Sequence, residues 1–213
     1  MRTSCRNCSC LAPAWLKSAF GTFSGSCIRP QPQLLMKSLM LELVQADQLE
    51  RAIEIELEGY PADEAASLES FQLRQSQAPE LFLGAFKSKP KSSSPESTDL
   101  ELIAYICGTQ SNSSQLTHSS MSQHVPGGSS VCIHSVCVSK DYRRQGVALE
   151  LLEEYVKRLR DLRRFKDNIE RILLISHEEL IPLYAKAGFK LVGESSVKHG
   201  ERIWYEMELE LDL

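Results

Sequence analysis

Val136-Cys137-Val138-Ser139-Lys140-Asp141-Tyr142-Arg143-Arg144-Gln145-Gly146-Val147-Ala148 is the stretch of this 213-residue chain whose reading decides its fold. An apolar run rich in β-branched residues, Val131 to Val138, reads as a strand. A short basic turn follows. Ala148, Leu151, Leu152, Tyr155, Leu159 and Leu162 then recur at the spacing of one helix face. The first amides of a helix lack intrahelical partners, and the helix dipole favours anions there. Gly146 lets a ligand approach the backbone closely, Ala148 stays out of the way, and Arg143 and Arg144 add positive charge. A strand–turn–helix of this kind can cradle a diphosphate. The competing reading is an ordinary strand-to-helix turn with solvated arginines, and an isolated Gly-x-Ala would favour it.

Outward from this unit, the pattern alternates helix and strand. Leu39 to Val44 reads as a first strand. Asp47 and Glu50 stand at capping-box spacing before Leu49, Ala52, Ile53 and Leu57, a helical face that is apolar except at Glu56. Gly59-Tyr60-Pro61 stops that helix, and Pro61 suits the first turn of another over residues 62–75. Residues 81–86 and 100–107 read as strands. Arg171 to Ile175 is a further strand, Glu178 to Ala187 a helix ended by Gly188, and Glu201 to Leu211 a closing alternating strand. Such a mixture predicts an α/β (α+β mixed) sheet domain. Residues 38–213 form the expected domain, with mobile loops over 87–98 and 110–130, both rich in polar residues.

Composition bounds the function. No apolar run approaches the roughly 20 residues of a membrane helix, so no membrane partner is expected. The segment Met1 to Leu41 carries five basic residues and no acid; the remainder holds 19 basic against 28 acidic side chains. An acidic body suits a cationic substrate rather than nucleic acid. Residues 1–37 read as a flexible basic leader that either resembles a mitochondrial transit peptide or carries no address. The expected location is cytoplasmic, or mitochondrial if the leader is a targeting segment. A chain starting near Gln33 should retain turnover; loss of turnover in a folded truncation would place the leader within the domain. The seven cysteines are an odd number and read as reduced thiols. Cys5-x-x-Cys8-x-Cys10 is half a metal site that no second cluster completes, so no metal is expected.

The longer pattern Arg143-x-x-Gly146-x-Ala148 resembles the pyrophosphate loop of the GCN5-related N-acetyltransferase (GNAT) superfamily. Pro182-Leu183-Tyr184-Ala185-Lys186-Ala187-Gly188-Phe189 is similar to that superfamily's P-x-Y-x-x-x-G-F helix. Glu58 to Ser67, Ala78 to Gly84, and His134 to Val138 resemble the arylalkylamine (serotonin) N-acetyltransferase branch. The resemblance implies the GNAT fold: a mostly antiparallel mixed sheet with splayed central strands, flanked by helices. It implies acetyl-CoA as co-substrate. Val136, Cys137 and Val138 would hold the pantetheine arm by their main chain. Arg143, Arg144, Gln145, Gly146, Val147, Ala148 and Leu149 would hold the pyrophosphate, and Tyr184 would stand beside the sulfur.

Acyl transfer to an amine requires the ammonium to lose a proton, since an alkylammonium has a pKa near ~10.4. Histidine suits that task. The branch links two histidines, two positions apart, to it; His134 matches the second, while Cys132 stands at the first, and a neutral thiol is a poor base. Tyr184 matches the general acid that serves the departing thiolate. Tyr60, Pro61, Ile175 and Phe189 are the candidate walls of the amine pocket. Asp63 and Glu64 either draw in a cation or merely suit a helix start. The expected activity is acetylation of a small primary amine, an arylalkylamine such as serotonin or tryptamine or a polyamine, by a monomer. The alternatives are a protein or peptide N-acetyltransferase and a non-catalytic acetyl-CoA-binding module.

Overall fold

The computed structural model describes residues 39–90, 98–165 and 168–211. The leader, with Cys5, Cys8 and Cys10, and residues 91–97 of the first polar loop lie outside the described residues. Strand β1 (Leu39–Leu43) leads through a 3-10 turn to helix α1 (Leu49–Gly59), and α2 (Leu68–Gln77) follows. Strands β2 (Phe82–Pro90), β3 (Thr98–Ser111) and β4 (Ser130–Val138) come next, with a short helix α3 (His118–Ser122) between the last two. Helix α4 (Val147–Phe165), β5 (Arg171–Ser176), α5 (Ile181–Lys186), β6 (Lys190–Glu194) and β7 (Tyr205–Glu210) complete the chain.

The seven strands form one sheet in the order β1-β2-β3-β4-β5-β7-β6. All neighbours run antiparallel except β4 and β5, which are parallel. Helix α4 supplies the crossover that a parallel pair needs. Its face of Val147, Leu151, Leu152, Tyr155, Val156 and Leu159 is buried against Ile103, Val131, Ile133 and Ile172. On the opposite face, Ala52 and Ile55 of α1 and Phe71 of α2 pack on Phe82, Phe86 and Tyr105. Phe71, Phe82 and Tyr105 meet with ring centroids 5.4–5.7 Å apart.

Several local expectations shift. The turn before α1 is held by Gln48, whose Oε1 accepts from the Gln45 amide at 2.9 Å, rather than by Asp47 and Glu50. The second helix begins at Leu68, capped by the Ser67 hydroxyl, because Pro61 starts only a turn: its carbonyl accepts from the amides of Glu64 and Ala65. Within the 110–130 stretch, β3 extends to Ser111, α3 forms, Leu116 is buried, and the Gln110 amide donates to His124 Nδ1. Strand β6 carries Leu191 and Val192 exposed, a pattern with no apolar alternation to mark it.

A β-bulge sets the middle of the sheet. Cys107 lies opposite Ser135 and Gly108 opposite Ile133, so His134 is the extra residue on β4. The bulge resets the alternation. Val131 and Ile133 before it, and Val136 and Val138 after it, all pack toward α4. Ser135 and Cys137 are thereby turned toward α1.

Candidate active site

The site opens where β4 and β5 part. The two strands pair only over Ser130–Cys132 and Arg171–Leu173. Beyond Cys132, β4 keeps β3 on one edge and, among the described residues, has no strand on the other. A cleft of about 640 Å³ lies there, with Val136, Cys137 and Val138 in its wall. Arg143, Arg144, Gly146, Val147, Ala148 and Leu149 line it from the turn into α4, and Pro182, Leu183 and Tyr184 line it from α5. Gln145 is not part of the lining; its amide nitrogen donates to the Asp141 carbonyl at 2.7 Å.

The turn into α4 is shaped for an anion. Arg144 has φ 58° and Gly146 φ 90°. A left-handed arginine is uncommon, and such alternation gathers successive amides into a concavity. The first intrahelical bond runs from the Glu150 amide to the Gly146 carbonyl, so the amides of Val147, Ala148 and Leu149 lack helical partners. Arg143 does a different job from the one its charge suggests. Its Nε donates to the Val138 carbonyl at 2.9 Å and its Nη2 to the Glu58 carbonyl at 2.6 Å. It straps the end of α1 to the end of β4. Glu58 reinforces the strap by accepting from the Lys140 amide at 2.7 Å, the contact that most lowers its carboxyl below the usual range.

A second cavity of about 290 Å³ adjoins the first, sharing Tyr60 and Glu64 as lining. Glu56, Arg74, His134, Ser135, Ile175 and Trp204 also line it. Buried Glu56 gathers four donors: the Ala66 amide and Ser135 hydroxyl on Oε1 at 3.1 and 2.9 Å, and the Tyr105 hydroxyl and Cys137 thiol (3.2 Å) on Oε2. His134 Nε2 lies 2.8 Å from Thr109 Oγ1, while its Nδ1 has no partner. Burial, aided by the Arg74 guanidinium, pushes the His134 imidazolium well below the ordinary histidine range. Tyr184 is buried and edge-on to Phe189, with centroids 5.9 Å apart; burial raises its phenol well above the usual value, with a smaller contribution from Cys137.

The residues expected from the sequence therefore fall into groups. Tyr60 and Pro61 line the large cleft, Ile175 lines the small cavity, and His134 lines the small cavity. Phe189 is not a wall; it is core behind Tyr184. Cys132 lines neither cavity. It is sealed among Leu116, Leu173 and Val197, and burial pushes its thiol up to about 11. The first turn of helix expected to hold Asp63 and Glu64 does not exist. Glu64 is buried instead, with its Oε2 2.9 Å from His177 Nε2. Glu56 carried one visible signal, a carboxylate on an otherwise apolar helix face; Thr109 and Trp204 carried none.

Residues 120–211 match a family whose description is Acetyltransferase (GNAT) domain. That segment, less than half of the chain, carries β4, the anion-shaped turn and the splayed strand β5, and it is there that the chain is similar to the acetyltransferase family. Serotonin N-acetyltransferase of Mesocricetus auratus is 30% identical over 133 residues, which span 62% of this chain and 57% of that protein. The chain spans about half the length of the curated relatives it matches. Among solved structures, the loading GNATL domain of CurA from Lyngbya majuscula superposes with TM-score 0.65 at 11% identity, covering 81% of this chain and 98% of that one. Arabidopsis thaliana Naa50, in complex with the bisubstrate analogue CoA-Ac-MVNAL, gives TM-score 0.56 at 17% identity, covering 81% and 98%. At these identities the solved structures establish the fold alone.

Proposed function

We propose that the chain transfers the acetyl group of acetyl-CoA to the primary amine of a small molecule, an arylalkylamine or a polyamine. The observation that carries this reading is the pair of cavities joined at Tyr60 and Glu64: a long cleft ending in an anion cradle, and beside it an amine-sized pocket with carboxylates in its wall. The similarity to serotonin N-acetyltransferase supports the same substrate class. The residues fit a CoA ester. Amides at the start of α4 and the side chain of Arg144 suit the diphosphate. The unpaired edge of β4 suits the amide-bearing pantetheine arm. The Ser139 amide donates to the Ile103 carbonyl of β3, so by alternation the Cys137 main chain also faces β3. The arm is left to the outward main-chain groups of Val136 and Val138, the Val138 carbonyl being shared with Arg143.

The amine attacks the thioester carbonyl, the C–S bond breaks, and the thiolate is released. Tyr184 lies in the cleft wall with its hydroxyl protonated over the whole neutral range, so it serves the leaving sulfur as a hydrogen-bond donor. His134 stays unprotonated at neutral pH and offers an acceptor that orients the incoming ammonium. Tyr184→Phe removes only the hydroxyl and should lower kcat about 10²-fold, with CoA affinity retained and no recovery at alkaline pH. His134→Gln should raise KM for the amine by roughly tenfold, the scale of one hydrogen bond of about 1.4 kcal/mol. Steady-state kinetics from pH 6 to 9.5 check both.

A thiol-release assay with acetyl-CoA and separate aromatic amines, polyamines and peptides tests the reading. Turnover on small amines is expected. Turnover on peptides alone favours a protein N-acetyltransferase. CoA binding with no turnover leaves a non-catalytic CoA-binding module.

A further inference from the structure

Acyl transfer to an ammonium leaves one proton to be placed, and burial makes His134 a poor holder of it. The Glu64–His177 pair stands where the two cavities meet: Glu64 lines both, and His177 lines the large cleft. Both side chains are buried, 2% and 6% exposed. The His177 ring lies between two acceptors. Its Nε2 is 2.9 Å from Glu64 Oε2, and its Nδ1 is 3.4 Å from the Ile203 carbonyl. A neutral imidazole has a single N–H and can satisfy only one of them. An imidazolium satisfies both. Trp204 stacks on the same ring with centroids 3.9 Å apart, a contact that also favours a cation.

We propose that Glu64 and His177 together accept the proton that the substrate ammonium gives up. This rests on the reading of the chain as an amine acetyltransferase. The ammonium transfers one proton to the pair, and the lone pair so freed attacks the thioester carbonyl carbon. The C–S bond breaks, and the second N–H proton of the tetrahedral nitrogen leaves with the thiolate to give CoA-SH. The pair then returns its proton to solvent, so one proton is released per acetyl group transferred. Among the described residues, charged and titratable groups approach the pair from several elements: Tyr60 lines both cavities with Glu64, Arg74 lines the small one and Lys186 the large one. His199 Nε2 lies 2.8 Å from the Glu64 carbonyl oxygen. Asp63 approaches the same turn at Gly200, Glu179 is held by Arg202 at 2.7 Å, and Lys198 lines the small cavity.

The test compares Glu64→Gln and His177→Gln with the wild-type full chain. CoA affinity is measured beside kcat/KM from pH 6 to 9.5 for two amines: an alkylammonium and an arylamine already unprotonated at neutral pH. On the alkylammonium, each variant should lose about 10²-fold or more at pH 7, with the deficit shrinking as pH rises and CoA affinity unchanged. On the unprotonated arylamine the deficit should largely vanish. A purely structural tie between the 60–67 turn and β5 predicts equal losses on both amines at every pH, and that result overturns the proposal. If Glu64→Gln misfolds, the His177→Gln profile decides by the same criterion. A folded wild type that binds CoA but acetylates no amine or peptide overturns the functional reading itself, and the pair's role with it.

Discussion

Glu56→Ala should cost the domain about 3 kcal/mol or more of unfolding free energy, at ~1–3 kcal/mol for each buried donor left without an acceptor. Four donors converge on this one carboxylate, from Ala66, Tyr105, Ser135 and Cys137, and they come from three different parts of the chain. Alanine strands all four. Glutamine keeps one acceptor oxygen, and the hydroxyls of Tyr105 and Ser135 can rotate to accept from its amide, so Glu56→Gln should lose less than half as much. Urea midpoints, with the slope checked for constancy, measure both. A loss below about 1 kcal/mol for alanine, the range of an ordinary surface change, would mean that the four donors find other partners and that the carboxylate is not the anchor of this wall.

Gly146→Glu should weaken CoA binding by 100-fold or more, about 2.7 kcal/mol, in a protein that still folds. Two effects act together. The residue sits at φ 90°, a region that costs a side chain ~1–2 kcal/mol, and the new carboxylate stands against the phosphates. Gly146→Ala separates them: it carries the backbone penalty without the charge and should lose only about tenfold. Calorimetric titration of both variants with CoA measures the difference. Unchanged affinity in folded Gly146→Glu would remove the α4 turn as the phosphate site.

These two residues also show what the sequence could and could not disclose. The turn at Gly146 was legible because its geometry is local: a strand, a turn and a helix start, all within thirteen consecutive residues. The α4 face and the central strands were legible for the same reason, since periodicity is a property of neighbours in the chain. Glu56 was visible only as an oddity, one carboxylate on an apolar face, because its partners lie 10, 49, 79 and 81 residues away. The Glu64–His177 contact spans 113 residues and had no local signature. Local patterns also misled in places. Pro61 suggested a helix start, but only a turn forms there, with Glu64 buried against His177. Cys132 and His134 stand two positions apart on one strand, yet Leu116 and Val197 cover the first and leave the second at the cavity, a difference that spacing alone does not carry.

The unpaired residue opposite the Cys107/Gly108 step divides β4 into two phases. Before it, odd-numbered positions point toward α4; after it, even-numbered ones do. Removing the single residue His134 would leave β4 in plain alternation, with Val131, Ile133, Val136 and Val138 still toward α4 and Ser135 and Cys137 still toward Glu56, so both faces survive and only the ring at the small cavity is lost. Inserting or deleting a residue anywhere else between Ile133 and Val138 would instead exchange the two faces of the strand beyond it. An alignment that closes a gap at this point places every wall residue from 135 to 138 one step out of phase, and transfers a role to the neighbour of the residue that holds it.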